Sequence, residues 1–196
     1  MFIYLFCYGS NSIKQLNERL NEPINEHLNE HLNERLNERI NETNQKLSLV
    51  PLVAEKAYLK NHVRIFSGYS KRWNGAVSSV FPCNNKKVYG IVVKLTLEQL
   101  EKLNIFEKGY HLEIKDIIIY EKNIIQTSVK SFIYIKDNTK FRKFPSNSYM
   151  NAINIMLNDV SNKNTRKIFI RVVKNNKIKT IALWYSNNEN GYFFIK

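Results

Sequence analysis

Hydrophobic and polar positions along this chain predict short strands that alternate with two helices. The run Met1–Cys7 is apolar and stops at Gly9, which is the pattern of a buried strand that breaks into a loop. Another strand is predicted at Glu113–Tyr120. Near the end of the chain, Asn-rich turns separate three further predicted strands: Lys167–Val173, Ile178–Trp184 and Tyr192–Ile195.

Helix signals occur at two places between these strands. Thr96-Leu97-Glu98-Gln99 is a capping-box pattern, and it predicts a helix through about Leu103. Glu107 then falls just past this helix, on the turn into the strand at Glu113–Tyr120. A second helix is predicted from about Ser146, with one apolar face: Tyr149, Ile153, Met156, Leu157 and Val160. The predicted fold class is therefore α+β, a mixed, mainly antiparallel, barrel-like sheet with flanking helices.

Residues 16–43 repeat the unit Leu/Ile-Asn-Glu-x seven times, and only the fourth position varies. A four-residue repeat advances by about 40° per unit on an α-helix, so its apolar residues form no fixed stripe. Each Glu also faces another Glu four positions on, and Pro23 interrupts the pattern. We expect this low-complexity insert to form a frayed helix or to be disordered. His27 and His31 occupy the variable position with no third ligand placed, so no metal site is predicted.

The length of 196 residues and the hydrophobic content of 43% indicate one domain, 1–196, that contains the insert at 16–43. The strands within 167–196 form a C-terminal extension, which we expect to extend the sheet or to cover its open edge. The whole chain carries a formal charge of +13 and the insert, with seven Glu and three Arg, carries −4, so the rest carries +17. Such a charge attracts nucleic acid, anionic membranes or acidic small molecules. A compositional bias toward Lys and Asn is the alternative, and the sequence leaves both open.

The two cysteines, Cys7 and Cys83, lack the spacing of metal ligands or redox motifs. They are interpreted as reduced thiols, so we expect an intracellular, cytoplasmic protein. Met1–Cys7 has no basic segment before it and ends at Gly9, which favours a strand over a secretory signal. No apolar run approaches the length of a membrane span, so no membrane partner is predicted. The oligomeric state, monomer or homodimer, stays open.

The segment Tyr8-Gly9-Ser10-Asn11 follows the first predicted strand directly. Gly9 can adopt φ values that are closed to other residues, and Ser10 and Asn11 favour turns. Successive backbone N–H groups in such a segment can converge on an anion. The same residues also make ordinary turns, so the pattern is typical of either a pocket or a plain turn.

Outside the insert, six motifs follow one another along the chain: Tyr8-Gly9-Ser10-Asn11-Ser12, Ala57–Phe66, Ser70–Val80, Val88–Thr96, Leu103-Asn104-Ile105-Phe106-Glu107 and Pro145–Tyr149. In this order they resemble the γ-glutamylcyclotransferase family. The resemblance covers most of the chain except the insert and the C-terminal strands. Three positions depart from it: Ser12 replaces the usual Leu, Asn104 the usual Asp, and Lys108 the Gly that normally follows Glu107.

The resemblance implies strands at Ala57–Phe66 and Val88–Thr96 and an enzyme that releases 5-oxoproline from γ-glutamyl amino acids or related γ-glutamyl compounds. In this reaction the substrate's own α-amine attacks its γ-carbonyl, without a cofactor, a metal or a covalent enzyme intermediate. Glu107 corresponds to the catalytic acid/base that moves the protons. The residues implied to bind the small-molecule substrate are Tyr8, Gly9, Ser10, Asn11, Ser12, Tyr110 and Tyr149.

Each implied role has an alternative. Glu107 is also placed to be a surface turn residue paired with Lys108. Tyr110 and Tyr149 are either pocket walls or core tyrosines with one satisfied hydroxyl group. The direction of the Glu107 side chain discriminates between an enzyme and a binding protein. A Glu107 that points into a pocket floored by residues 8–12 favours an enzyme, and one that points to solvent favours a binding protein.

The competing function is a non-catalytic binding module of the same fold. Tyr69, Arg72 and Trp73 lie close together in sequence, and with the basic charge they are suited to bind RNA or single-stranded DNA through phosphate contacts and stacking. No motif of a known nucleic-acid-binding fold supports this alternative. Trp73 itself is interpreted as a packing residue.

Overall fold

Five of the strands close into a barrel. The computed structural model describes residues 2–21, 52–120, 127–137, 143–158, 166–187 and 191–195. The barrel strands are β1 Phe2–Cys7, β2 Ala54–Ser70, β3 Gly75–Thr96, β4 His111–Ile119 and β5 Thr127–Ile135, in the order β1-β3-β2-β4-β5. β1 and β5 pair in parallel, and the other neighbours pair antiparallel. This confirms the predicted mixed, mainly antiparallel barrel.

Alternating side chains of these strands fill the barrel, as the two-residue period of a strand requires. The fully buried residues Ile117 and Ile133 belong to one hydrophobic cluster, together with Phe6. Leu5 and Leu95, also fully buried, lie in a second cluster, which includes Leu16 of the first helical segment. β2 and β3 extend beyond their predicted lengths, and they pair from Ser70 opposite Gly75 to Ala54 opposite Val93. The strands implied at 57–66 and 88–96 are confirmed as parts of this long pair.

Helices α1 (Ile13–Asn21), α2 (Leu97–Asn104) and α3 (Asn147–Asn158) accompany the barrel in the described part of the chain. α2 begins with the predicted capping box. The Thr96 hydroxyl accepts from the Gln99 backbone N–H at 3.2 Å, and the Gln99 side chain accepts from the Thr96 N–H at 2.9 Å. α3 buries four residues of its predicted face: Tyr149, Ile153, Met156 and Leu157. The fifth, Val160, lies outside the described residues.

The three predicted C-terminal strands are confirmed as β6 (Arg166–Lys174), β7 (Lys177–Asn187) and β8 (Gly191–Ile195). They form a separate three-stranded sheet, in which β7 is the central strand. The expectation that they extend the first sheet or cover its open edge is wrong, because that sheet closes on itself through the β1–β5 pairing. Ile170 of β6 is fully buried in the same hydrophobic cluster as Phe66 of β2. That residues 1–196 form a single domain stays a prediction.

The first unit of the low-complexity repeat, Leu16–Arg19, is helical and packed within α1. Leu16 is fully buried and Arg19 is 4% exposed. The expectation that the repeat presents no packing face is wrong for this unit. Its apolar positions drift only a little over one or two units, so Leu16 and Leu20 still meet the same hydrophobic cluster. Residues 22–43 lie outside the described residues. None of the described helices is long and apolar enough to cross a membrane.

Candidate active site

A half-enclosed pocket of about 40 Å³ lies where β1 ends. Its lining comes from the end of β1 and the loop that follows, from β3 and β5, from the segment between α2 and β4, and from α3. The lining residues are Phe6, Cys7, Tyr8, Gly9, Ser10, Asn11, Ser78, Glu107, Tyr110, Tyr134 and Tyr149. Residues that are far apart in sequence therefore meet around one small space.

Glu107 reaches this pocket from a tight turn after α2. The Glu107 N–H donates to the Asn104 carbonyl at 3.2 Å, and the Glu107 carbonyl accepts from the Tyr110 N–H at 3.1 Å. Gly109 has a φ of 80°, a left-handed conformation that glycine adopts readily, and the chain can therefore turn into β4. The Glu107 side chain is only 11% exposed. Its carboxylate thus faces the pocket that is floored by the loop after β1.

Two donors bind the same oxygen of Glu107. Arg19 Nη1 lies 2.6 Å from Glu107 Oε1, and Asn11 Nδ2 donates to Oε1 at 3.0 Å. Arg19 Nη1 also donates to Asn11 Oδ1 at 3.0 Å, which closes a triangle of three side chains. Lys108, the cation that follows Glu107 in sequence, is exposed. The described ion pair of Glu107 is therefore with Arg19 of α1.

The loop after β1 is held from two sides. Arg64 of β2 donates to the Tyr8 carbonyl through Nε at 3.1 Å and Nη2 at 2.8 Å. The Tyr8 hydroxyl donates to the Tyr134 carbonyl at 2.6 Å. Burial lowers the pKa of Arg64 to about 10, so its guanidinium remains charged at neutral pH. These contacts fix the position at which the loop starts.

Gly9 serves close packing in this loop. Its φ is not positive, so the expectation that it supplies an otherwise closed backbone conformation is wrong. A Cβ at Gly9 would lie 3.3 Å from the Tyr149 hydroxyl oxygen and 3.6 Å from Ser78 Cβ. The absence of a side chain therefore lets the loop approach α3 and β3.

The tyrosines of the pocket are walls and core residues at the same time. The Tyr110 hydroxyl donates to the Ser78 carbonyl at 3.2 Å, and the Tyr149 hydroxyl oxygen accepts from the Ser78 N–H at 2.7 Å. Burial raises the pKa of both phenols, so both stay protonated. The Trp73 ring packs against Tyr149 with centroids 5.1 Å apart, which confirms its interpretation as a packing residue.

The fold of this chain is similar to that of solved proteins. No protein-family model matches the chain, and no curated protein matches it. A solved γ-glutamyl cyclotransferase is similar to it, with a TM-score of 0.52 and 18% identity over 82% of this chain and 80% of the other. An uncharacterized protein from Homo sapiens has a TM-score of 0.51 and 18% identity over 82% of this chain and 81% of its own. The chain has the γ-glutamylcyclotransferase fold. At this identity the likeness is one of fold.

Within this cyclotransferase fold, every predicted site residue except Ser12 lines the pocket. Ser12 is buried, and its hydroxyl accepts from the Gln15 N–H at 3.3 Å, where it caps α1. Asn104, the second departure from the family pattern, accepts from the Tyr134 hydroxyl at 2.6 Å through Oδ1. A carboxylate oxygen would accept the same hydrogen bond, so the Asn keeps the contact that an Asp would make. The roles of the lining residues in substrate binding stay predictions.

Sequence reasoning missed four lining residues and one residue behind them: Phe6, Cys7, Ser78, Tyr134 and Arg19. Tyr134 and Ser78 reach the pocket because the barrel closes, and no local sequence pattern indicates that they line it. Arg19 occupies the variable position of a low-complexity repeat, and nothing in the composition of the repeat indicates its contact with Glu107. Burial raises the pKa of the Cys7 thiol, so this cysteine is a poor nucleophile at neutral pH. The carboxylate among the lining residues is that of Glu107.

Proposed function

We propose that this protein is a γ-glutamylcyclotransferase-like enzyme that releases 5-oxoproline from γ-glutamyl amino acids or related γ-glutamyl compounds. One observation carries the proposal. The largely buried carboxylate of Glu107 lines the same pocket as the loop Tyr8–Asn11. The turn that presents Glu107 and the loop that follows β1 are two of the six motifs whose order carries the resemblance.

The proposed reaction needs one proton carrier. The substrate's α-ammonium gives a proton to Glu107, the free amine attacks the γ-carbonyl carbon, and a carbon–nitrogen bond closes the five-membered ring. As the bond to the leaving nitrogen breaks, Glu107 returns this proton to that nitrogen. The ring nitrogen loses a second proton to become the amide of 5-oxoproline, and Glu107 passes it to the released amine, which leaves as an ammonium ion. Both reacting groups belong to one substrate molecule. The pocket therefore contributes by holding the substrate in a conformation close to attack.

The two oxygens of Glu107 are unequal in a way that suits this role. Both described donors, Arg19 and Asn11, bind Oε1. Within the described part of the chain no hydrogen bond reaches Oε2. In the proposal Oε1 fixes the orientation of the carboxylate, and Oε2 exchanges the proton with the substrate.

The loop supplies the groups that meet the negative charge of the substrate. The Ser12 N–H is already used, since it donates to the Ser10 carbonyl at 2.8 Å. The N–H groups of Gly9, Ser10 and Asn11 are therefore the proposed donors, either to the α-carboxylate or to the carbonyl oxygen that gains charge in the transition state.

Cys7 and Cys83 are free thiols, which supports the proposal that the enzyme works in the cytoplasm.

A 5-oxoproline release assay tests the proposal. The purified protein is incubated with γ-glutamyl-alanine, γ-glutamyl-ε-lysine and glutathione, and 5-oxoproline is measured by mass spectrometry. We expect release from at least one of the three, and the order of kcat/KM among them assigns the substrate class. If none of the three substrates releases 5-oxoproline, the proposed enzymatic function is contradicted.

The alternative is a binding module, and the formal charge of +13 is the observation that favours it. Tyr69 is 40% exposed and Arg72 is exposed, whereas Trp73 is packed against Tyr149. Two of the three residues named for stacking and phosphate contact therefore remain accessible. Binding of a fluorescent single-stranded oligonucleotide that weakens steeply with salt, in a protein that releases no 5-oxoproline, would favour this alternative.

A further inference from the structure

Arg19 connects the low-complexity repeat with the candidate site. It is the variable residue of the first repeat unit, Leu16-Asn17-Glu18-Arg19, and it lies in the last turn of α1. Its side chain is only 5% exposed, although Arg is almost never buried to this extent unless it is paired. The repeat thus places a guanidinium inside the folded protein.

The position of this guanidinium is defined by several contacts. Arg19 Nη1 contacts Glu107 Oε1 at 2.6 Å and Asn11 Oδ1 at 3.0 Å. Its Cζ lies 5.5 Å from the centre of the Phe106 ring, within the range of a cation–π interaction. The end of α1 is attached to α2 in addition, since Lys102 Nζ donates to the Leu20 carbonyl. Arg19 is therefore held between the aromatic ring and the carboxylate.

Arg19 does not belong to the residues that line the pocket, whereas Glu107 and Asn11 do. Arg19 therefore meets the pocket through its hydrogen bonds to these two side chains. A buried ion pair adds little net stability, because the loss of hydration offsets much of the attraction. The geometric effect of the ion pair is large, because Arg19 and Asn11, which lie 88 and 96 positions from Glu107 in sequence, both hold the same carboxylate oxygen.

We propose that Arg19 is a positioning residue for Glu107: it fixes Oε1 and leaves Oε2 directed to the substrate's α-ammonium. This inference rests on the proposed function. It assigns a role to one unit of the repeat that neither composition nor periodicity indicates. Loss of Arg19 leaves Asn11 as the single described donor to Oε1, and the carboxylate then samples orientations that cannot exchange the proton.

The test compares the neutral variant Arg19→Gln with the charge-conserving Arg19→Lys. Glu18→Gln is the matched control, because Glu18 lies on the same helix with its side chain 55% exposed. We expect kcat of Arg19→Gln to fall roughly 10²-fold, the scale of a misplacement of about 1 Å, with KM changed less than about threefold because Arg19 does not contact the substrate. Arg19→Lys should retain an intermediate kcat, and Glu18→Gln should resemble the wild type.

Chemical rescue separates positioning from a general loss of folding. Added guanidinium ion, at concentrations too low to unfold the protein, should raise kcat of Arg19→Ala and should not raise kcat of Glu107→Gln. Circular dichroism and thermal melts establish that each variant is folded. If Arg19→Gln does not fold, Arg19→Lys and the rescue of Arg19→Ala decide the question.

The outcomes distinguish this inference from the proposed function. A wild-type protein that releases 5-oxoproline, together with normal kcat in folded Arg19→Gln, overturns the role of Arg19 alone. Equal kcat losses in Arg19→Gln and Arg19→Lys without rescue of Arg19→Ala would also overturn it. A wild-type protein that releases no 5-oxoproline from the three substrates overturns the proposed function and this inference with it.

Discussion

The Asn11 side chain donates to Glu107 Oε1 at 3.0 Å across 96 positions of sequence. This hydrogen bond joins the loop after β1 to the turn after α2. The two segments are brought together because β1 pairs with β3, and β3 leads directly into α2 through the Thr96 cap. The candidate site is therefore a product of the β1–β3 pairing and of the point at which α2 ends.

Glu107→Gln should lower the rate of 5-oxoproline release by at least about 10²-fold, the scale of a lost general acid/base. The amide keeps the size of the side chain and one acceptor oxygen, so the protein should remain folded and substrate binding should persist. The measurement is single-turnover release, with Glu101→Gln as the control, because Glu101 is an exposed Glu on α2. Undiminished release by Glu107→Gln would exclude this residue from the mechanism.

Gly9→Val should impair substrate use in a protein that still folds. Even a Cβ at this position would lie 3.3 Å from the Tyr149 hydroxyl oxygen, and the two further methyl groups of Val would push the loop away from α3. Overpacking of this kind costs about 1–3 kcal/mol of stability. Urea unfolding and steady-state kinetics on Gly9→Ala and Gly9→Val should show a graded effect. Normal kinetics in Gly9→Val would mean that the loop is only a turn.

Deletion of the repeat should have an effect that depends on where the deletion begins. Removing residues 16–43 eliminates the fully buried Leu16, so the free energy of unfolding should fall by more than about 2 kcal/mol. This reverses the expectation from the periodicity alone. Removing residues 22–43 keeps α1 intact, and the thermal midpoint should change little. Equal thermal midpoints of the two deletion variants would show that the packing of Leu16 contributes no measurable stability.

The stability contributed by Glu113 should depend on pH. Hydrogen bonds from Lys115 and His111 lower the pKa of Glu113 below its ordinary value of 4.5. A carboxyl group with a lowered pKa in the folded state stabilises above its unfolded pKa, and this contribution is lost as the pH falls through the folded pKa. Glu113 is partly exposed, so the contribution is less than about 1 kcal/mol.

The experiment compares Glu113→Gln with the wild type by urea unfolding at several pH values. The variant should be slightly less stable at pH 7, and the difference should vanish well below pH 4.5. A difference that persists undiminished at the lowest pH would show that the carboxylate charge is not its origin.

Several elements of this fold follow from local physics and were therefore predictable from the sequence, although β5 and α1 were not. The Thr96–Gln99 capping box forms because both partners lie within one turn of helix. The C-terminal strands β6, β7 and β8 lie where alternation and Asn-rich turns predict them. Glu107 lies just after α2 for the same reason, since a helix boundary is set by residues close to it in sequence.

Tertiary structure alone decided which residues meet. Arg19 pairs with Glu107 across 88 positions, and Arg64 binds the Tyr8 carbonyl across 56. Neither contact has a local signal, because a side chain's partners at such separations depend on how the barrel closes and on which helix packs beside the turn. The repeat shows most clearly what local sequence patterns cannot predict. Its period of four predicts no packing face over many units, yet a single unit needs only one buried turn, and the fold supplies a place for it.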